Sequence, residues 1–303
     1  MTGQRRPAAV GFHSGELAVQ QHAGVQAQAA RLARMVGPAE LRAGTAAFLA
    51  DATFAALTAR DGAGRLWTSP LLARAGFLHA DGPSTLRIDT PLSSADPLHS
   101  LPTRQSAGLV VIDFATRRRV RVNGVLLTAS DESGMSLEVD QAYGNCPQYI
   151  QQRDIIGEGT HRSARAAGYS GERLREHDIH LIESADTFFL GTTHPDSGND
   201  ASHRGGPAGF VRATAEGLCW PDYPGNNLFN SFGNLAVDPT AALLFVDFPT
   251  GNTLQLSGTA TVDWDVPVEG EDGQTGRRVH FTPQQVVATH IPATTNSTGR
   301  DRV

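Results

Sequence analysis

Two segments in the second half of the chain combine polar, basic and aromatic side chains in patterns suited to a phosphorylated ligand. The first, GNDASHRGGPAG at residues 198–209, places Ser202, His203 and Arg204 next to Gly205. A hydroxyl, an imidazole, a guanidinium and unhindered backbone N–H groups are the usual means of holding a phosphate. The alternative is an ordinary glycine-rich hairpin with two exposed basic residues, and composition alone leaves both interpretations open.

The second segment, WPDYPGNNLFNSFGNLAVDPTAA at residues 220–242, is dense in amides that alternate with apolar residues. Buried amides and hydroxyls need hydrogen-bond partners, which a polar heterocycle with a ribityl chain and a phosphate would supply. The alternative is a helix N-cap at Asn230 or Ser231, and both can hold because a helix N-terminus attracts phosphate. Its polar candidates are Asn226, Asn227, Asn230, Ser231 and Asn234.

Aromatic residues in the same segment offer a surface for a flat ring. Trp220, followed by Pro221 and Asp222, and Tyr223 could pack against an isoalloxazine, although lone aromatic residues more often belong to a core.

Other reactive residues favour structural roles. His13 and Glu16 are spaced by one helical turn, as are His177 and His180, but no third metal ligand accompanies them, so we expect exposed helix residues and no metal site. Cys146 has no adjacent base, which favours packing at the junction between the halves.

The basic run Arg117–Arg119 with Arg121 lies in a strand-like segment and predicts a solvated hairpin.

Because the net charge is −6, nucleic acid is not an expected partner. Hydrophobic residues make up 40% of the 303 residues, which is typical of a globular protein. No apolar run approaches the ~18 residues of a membrane span, and no secretory signal is apparent. Two cysteines without metal-ligand spacing suit a reducing cytoplasm.

The chain contains an internal repeat. GLVVIDFATRRRVRVNG at 108–124 aligns without gaps to ALLFVDFPTGNTLQLSG at 242–258, so that Asp113 matches Asp247 and Gly124 matches Gly258, each 134 positions on. Upstream, Thr53 is matched to Thr187 at the same spacing, and GFL at 76–78 answers GFV at 209–211 at 133. An insertion or deletion is therefore expected between these two pairs.

Each copy reads as short strands separated by Gly, Pro, Asp and Asn turns, which predicts a mainly β fold with two tandem split β-barrel repeats. Evenly spaced short strands favour a closed barrel, since closure removes exposed edges. Helices are predicted over 15–36, ending at Gly37-Pro38, and before each barrel within 38–52 and 170–185.

Four segments carry a family resemblance: DASHRGGPAGFV, WPDYPGNNLFNSFGNL, LLFVDFPTGNTLQLSG and, between the copies, YGNCPQYIQ. They resemble the pyridoxamine 5′-phosphate oxidase-like flavoproteins with the FMN-binding split-barrel fold, and more narrowly a long, duplicated "oxidase-related" subfamily. FHSGELAVQQHAGV is similar to that subfamily's opening, so the resemblance spans nearly the whole chain.

The resemblance implies a Greek-key barrel, usually a homodimer that holds FMN at its interface. It implies that Arg204 is a phosphate ligand and that Asp222–Asn234 is the second phosphate loop. Here the sequence departs from the family, because Gly225-Asn226-Asn227 and Ser231 replace a Ser-Arg-Lys cluster. We therefore expect the phosphate to rest more on amides, hydroxyls and backbone N–H groups. The residues that bind the oxidase's substrate phosphate have no clear match, so pyridoxamine phosphate is not the expected substrate.

Copy one lacks both loops, and we expect it to be a degenerate partner that completes the interface, making one chain a pseudo-dimer. The predicted domains are an N-terminal helical segment (1–43), a degenerate first repeat (44–143), a linker with a helix (144–180), a cofactor-binding second repeat (181–291) and a flexible tail (292–303). The predicted cofactor-binding residues are Ser202, His203, Arg204, Gly205, Trp220, Pro221, Asp222, Asn226, Asn227, Phe229, Asn230, Ser231, Asn234 and Gln255.

The predicted function is that of a cytoplasmic FMN-binding flavoprotein, an oxidoreductase acting on a small-molecule redox substrate, as a homodimer or an intrachain pseudo-dimer. The alternatives are a binder or carrier of FAD, deazaflavin or haem, and a non-catalytic interaction scaffold. No nucleic acid or membrane partner is expected.

Overall fold

The computed structural model describes residues 11–36, 40–130, 134–155, 168–267 and 275–291. The predicted tail at 292–303 lies outside these residues. The described part consists of two antiparallel sheets with short helices, which confirms the mainly β class. None of its helices has the length and apolarity needed to cross a membrane.

The helices are short. They are α1 (Ser14–His22), α2 (Gln26–Leu32) followed by a 3₁₀ turn (Ala33–Val36), α3 (Ala43–Asp51), α4 (Glu176–Ser184) and α5 (Asn230–Val237). The helices expected before each repeat are confirmed by α3 and α4. The single helix expected over 15–36 is wrong, because the chain breaks between α1 and α2 at Gly24, whose φ of +67° lies outside the helical region.

The first sheet contains seven strands in the order β2-β1-β5-β6-β7-β4-β3. The strands are β1 (Phe54–Arg60), β2 (Leu66–Leu72), β3 (Leu78–Ala80), β4 (Thr85–Ile88), β5 (Gln105–Asp113), β6 (Arg118–Ser130) and β7 (Gly134–Gly144).

The second sheet has the order β10-β9-β13-β14-β15-β12-β11, with β8 added on β15. Its strands are β8 (Tyr169–Gly171), β9 (Thr187–His194), β10 (Gly198–Gly205), β11 (Arg212–Ala213), β12 (Leu218–Pro221), β13 (Thr240–Asp247), β14 (Asn252–Asp263) and β15 (Arg278–His290). Adding eight to each strand number of the first sheet reproduces the order of the second, as the sequence repeat predicts.

A shared β-bulge explains why a glycine recurs in the repeat. The strand register shifts between Asn123 and Gly124 in the first sheet and between Ser257 and Gly258 in the second. A Cβ on Gly124 would lie 2.0 Å from the Glu138 carbonyl oxygen, and a Cβ on Gly258 would lie 2.1 Å from the carbonyl oxygen of Thr282. Only glycine therefore fits at this point of either copy.

The upstream register of the repeat differs from the expected one. Ala55 pairs with Val111, and Phe188 pairs with Phe245, so equivalent residues of β1 and β9 are 133 apart. The match of Thr53 with Thr187 is thus wrong by one residue. A slip of one residue exchanges the two faces of a strand, so this register decides which side chains face the core.

The two sheets share an apolar interface besides their own cores. Strands β1–β7 all contribute to the first core, and strands β9 and β12–β15 contribute to the second. Between them, Phe54 lies with its ring centroid 5.2 Å from that of Phe189 and 5.6 Å from that of Phe248. Around this third cluster, β10 packs against β5 and β6, and β2 packs against β13 and β14. It thereby brings side chains of each half to the other.

Candidate functional site

A cleft lies where β6 of the first half meets β10, β12 and the following loop of the second half. It consists of two adjoining hollows that share six residues, to which each half contributes. The shared residues are Arg121, Arg204, Asp222, Tyr223, Gly225 and Asn226.

Two arginines of the first half point into this cleft. Arg119 Nη1 donates to Nδ1 of His203 at 2.8 Å, and Arg121 Nη1 lies 2.9 Å from Oδ2 of Asp200. Residues two apart on a strand share a face, so both arginines reach β10 together. The prediction of a solvated hairpin holds only for Arg117 and Arg118, which are exposed, and is wrong for Arg119 and Arg121.

Arg119 is the least compensated cation of the cleft. Among the residues that the structure describes, no carboxylate lies within salt-bridge distance of it, and its Nε has no hydrogen-bond partner. Burial, together with the charges of Arg121 and Arg204, lowers its pKa to about 9. The first half therefore supplies the positive charge that the sequence lacks at Gly225-Asn226-Asn227, and an anion in the cleft would stabilise it.

His203 is neutral in this environment. Burial, and then the charges of Arg119 and neighbouring arginines, lower its pKa well below the ordinary value for histidine. Because a guanidinium only donates, Nδ1 must accept and Nε2 must carry the proton. This Nε2 is buried and unpaired in the described part of the chain. His203, which lines the cleft, thus carries a donor without a partner among the described residues.

Arg204 lies on β10 at the centre of the cleft. Its Nη1 is 3.8 Å from Oδ1 of Asp222, a carboxylate that Arg277 binds more closely, at 2.9 Å. Burial lowers the pKa of Arg204, and its Nε is buried without a partner among the described residues. Arg204 can therefore accept a second anion without losing a close ion pair.

The loop after β12 is tied across the cleft to the segment after β7. Asn226 Nδ2 donates to Asn145 Oδ1 at 2.9 Å, and the Tyr149 hydroxyl donates to the Pro224 carbonyl at 3.1 Å. The rings of Tyr149 and Tyr223 stack with centroids 5.2 Å apart. The segment around YGNCPQYIQ thus forms a wall of the cleft.

The alternative interpretation, a helix N-cap at Asn230 or Ser231, is wrong. Phe229 precedes α5 in a left-handed conformation, and its side chain makes no capping hydrogen bond. Asn230 instead donates to Glu16, and the Ser231 hydroxyl lies 3.2 Å from that of Ser202. These side chains are used in tertiary contacts rather than at the helix terminus.

The structure brings most of the predicted cofactor-binding residues together. Eleven line the hollows: His203, Arg204, Gly205, Trp220, Pro221, Asp222, Asn226, Asn227, Phe229, Asn230 and Ser231. Ser202 lies behind Ser231, and Asn234 is engaged by His13 and Thr192. Trp220 satisfies both interpretations, since it lines a hollow and also packs edge-on against Phe188 in the core.

Gln255 does not line the cleft. It lies on β14 and contacts residues of the first half. Its Nε2 donates to the Thr68 carbonyl, to Ser69 Oγ at 2.9 Å and to Asp96 Oδ2 at 3.1 Å. Counting back 134 positions from Gln255 leads to Arg121. Arg121 lines the cleft and Gln255 does not, because the packing of the halves brings β6 to the loop after β12 and brings β14 to β2.

The structure agrees with some of the remaining sequence predictions and differs from others. His177 and His180 are exposed, as expected. Glu16 is not, since its side chain is 5% exposed and lies 3.6 Å from His13. Cys146 is exposed and lines a hollow instead of packing at the junction. No cluster of three or more potential metal ligands occurs in the described ranges.

Comparison with known proteins identifies the part of the chain that carries the loop. Residues 175–278 match the family model described as pyridoxamine 5′-phosphate oxidase. The matched region runs from α4 to the start of β15, so Arg119 and Arg121 lie outside it. A search of curated protein sequences found no significant match.

Several solved structures also match. One described as a pyridoxamine 5′-phosphate oxidase, from Lactobacillus delbrueckii, is 15% identical with a TM-score of 0.31, and the match covers 38% of this chain and 94% of that chain. A general stress protein 26-related protein of the pyridoxinephosphate oxidase family, from Clostridium acetobutylicum, is 14% identical with a TM-score of 0.30, covering 39% and 89%. The haem storage protein HutZ from Vibrio cholerae is 12% identical with a TM-score of 0.28, covering 39% and 95%.

Proposed function

We propose that this protein binds FMN in the cleft between its halves and acts as a flavin-dependent oxidoreductase on a small redox-active molecule. The observation that carries the proposal is the convergence of Arg119 and Arg121 from one half with Arg204 from the other, around a loop of amides and aromatic residues. The proposed site is formed within one chain, which makes it an intrachain pseudo-dimer, and we propose a cytoplasmic location.

The cationic side of the cleft suits the phosphate of FMN. A phosphate monoester carries nearly two negative charges at neutral pH and accepts several hydrogen bonds. Arg119 and Arg204 have the least compensated charges, and His203 offers a free Nε2–H. These three side chains would hold the phosphate, while the amide of Asn227, which lines the same hollow as Arg204, would bind the ribityl chain or ring.

The aromatic side of the cleft suits the flavin ring. Trp220, Phe210 and the stacked pair Tyr149 and Tyr223 line the hollow that also contains His203. A bound flavin supplies the transfer of one or two electrons, and the protein supplies binding, orientation and the electrostatic environment.

One contact favours a flavin over haem. A histidine binds iron through a nitrogen lone pair, and His203 is the histidine of the described residues that lines the cleft. Its Nδ1 is occupied by Arg119 and its Nε2 carries the proton, so neither nitrogen is free to bind a metal. We therefore place FMN before a histidine-ligated haem, and FAD and deazaflavin stay as candidate cofactors of the same cleft.

The absorption spectrum of the purified protein tests the proposal. Flavin bands, before or after addition of FMN, are expected, and mass spectrometry of the released cofactor separates FMN from FAD and deazaflavin. A Soret band would support haem instead. A colourless protein that takes up no added FMN would refute the proposal.

Two substitutions test the site. Arg204→Ala and Asn227→Ala should each weaken FMN binding, measured by quenching of flavin fluorescence. Unchanged affinity in both would show that flavin binds elsewhere. Reduction of the bound flavin by a chemical reductant and its reoxidation in air would then test redox competence.

A further inference from the structure

The N-terminal helix α1 is packed tightly against α5, which follows the cleft loop. Gly15 and Gly233 form the contact, and a Cβ on Gly15 would lie 2.1 Å from the carbonyl oxygen of Gly233. Helices approach this closely only where both residues lack a side chain. Residues at the start of α1 are therefore held beside the residues that line the cleft.

Glu16 is the side chain that this packing buries. Its Oε2 accepts the backbone N–H of His13 at 2.8 Å, and its Oε1 accepts Nδ2 of Asn230. Asn230 lines the hollow that contains Arg121 and Arg204. Glu16 thus binds Asn230, a residue that lines the cleft, without lining the hollow itself.

Charged and titratable groups of other elements also face Glu16. On β10, Asp200 opposes ionisation of Glu16, and on β6, Arg121 favours it. Tyr143 on β7 lies close enough for the charge of Glu16 to raise its pKa further, after burial and Asp200. At the N-cap of α1, His13 is kept neutral, because burial and His194 of β9 lower its pKa to about 4. The state of Glu16 is therefore governed first by burial, which favours the neutral acid, and then by the hydrogen bonds from His13 and Asn230, which favour the carboxylate. The charges of Asp200 and Arg121 have smaller effects of opposite sign.

An anion in the cleft would change this balance. Arg121 lines both hollows, so an anion placed there compensates the cation that favours ionised Glu16. Burial already raises the pKa of Glu16 to about 7. The carboxyl is consequently close to half ionised at neutral pH, where a small change in the local potential alters its protonation most.

We propose that Glu16 is a positioning residue for Asn230 and takes up a proton when an anionic cofactor binds the cleft. The inference rests on the proposed binding of FMN, and it adds that binding is coupled to pH through a residue of the N-terminal helix.

Titration calorimetry with FMN tests the coupling. Heats measured at pH 7 in two buffers of different ionisation enthalpy give the number of protons exchanged. The wild-type protein should take up more protons than Glu16→Gln, by up to about half a proton per FMN, since a group with a pKa of about 7 is half ionised at pH 7. The phosphate of FMN titrates near pH 6 in both proteins, so the difference isolates Glu16.

The variants are chosen to separate coupling from damage. Glutamine mimics the protonated carboxyl and is compatible with the capping box, so Glu16→Gln should fold, which circular dichroism checks. Glu176→Gln, at an exposed position of α4, is the matched control and should behave like the wild type. FMN affinity of the wild type should also fall between pH 7 and pH 9 more steeply than that of Glu16→Gln.

The outcomes separate this inference from the proposed function. Equal proton uptake by the wild type and Glu16→Gln, with FMN bound by both, would overturn the inference and leave the function standing. If the wild type binds no FMN, the function fails, and inorganic phosphate replaces FMN in the same comparison. A proton difference with phosphate would support the coupling, whereas equal uptake or no phosphate binding would overturn it.

Discussion

Replacing Arg119 by methionine should weaken FMN binding and stabilise the protein in the absence of FMN. The guanidinium is half-buried, has no carboxylate partner within the described ranges, and has a pKa lowered to about 9 by burial, Arg121 and Arg204. A decrease of that size corresponds to a penalty on the charged form of at most about 5 kcal/mol. Solvent relaxation and loss of the bond to His203 reduce the net gain, and we expect about 1 to 2 kcal/mol.

Binding should respond in the opposite direction. A hydrogen bond to a charged group contributes about 1.5 to 3 kcal/mol, so Arg119→Met should raise the Kd for FMN by roughly 10- to 150-fold. Fluorescence quenching gives the Kd, and urea unfolding gives the stability without FMN. Arg118→Met, one position away and exposed, is the matched control and should change FMN affinity little.

The pH dependence provides an independent check. Because the pKa of Arg119 is lowered in the folded state, the unfolded chain binds more protons above pH 8, and stability from this group rises with pH. The stability advantage of Arg119→Met should therefore shrink as the pH approaches 9 and above. Unchanged FMN affinity in Arg119→Met, or destabilisation typical of a core substitution, would refute the reasoning.

Three further predictions concern the glycine of the repeat and the hydrogen bonds between Gln255 and Asp96. Gly124→Ala should lower the free energy of unfolding by at least about 2 kcal/mol, because its Cβ would meet the Glu138 carbonyl; Gly62→Ala, with open space around it, should be nearly neutral by the same urea assay. Gln255→Leu should lower the free energy of unfolding by about 1 to 3 kcal/mol, because Asp96 and Ser69 lose a hydrogen-bond donor. It should leave the Kd for FMN within about twofold of the wild-type value. A larger loss of affinity would show that Gln255 contributes to the FMN site. Burial raises the pKa of Asp96 to about 6, so its contribution to stability is present at low pH and lost as the pH rises through 6. Relative to Asp96→Asn, the free energy of unfolding of the wild type should therefore increase by about 1 kcal/mol from pH 7.5 to pH 5, measured by urea unfolding. Parallel pH profiles of the two proteins would contradict this.

Much of the fold could be predicted from the sequence because its signals are local. Strand alternation, turn residues and the recurring glycine all depend on neighbours within a few positions. Gly124 and Gly258 coincide because each bulge brings a carbonyl oxygen to where a Cβ would stand. The one-residue error at Thr53 arose where no such local marker pins the register.

The two loops of the second half were also predictable as a site, since their polar side chains exceed what a core can bury without partners. The alternation of β6 further shows, from sequence alone, that Arg119 and Arg121 share one face while Val120 and Val122 share the other. Whether the arginine face meets solvent or protein is not a local property.

Only the tertiary structure decided that question. Arg119 contacts His203, 84 positions away, because the apolar interface around Phe54, Phe189 and Phe248 docks β10 onto β6. Hydrophobic contact is non-directional, so the pattern of apolar residues specifies that the halves associate but not which hairpin faces which loop. That docking turns a hairpin that reads as solvated into the cationic wall of the cleft, and it leaves Gln255, at the equivalent position of the other copy, bound to Asp96.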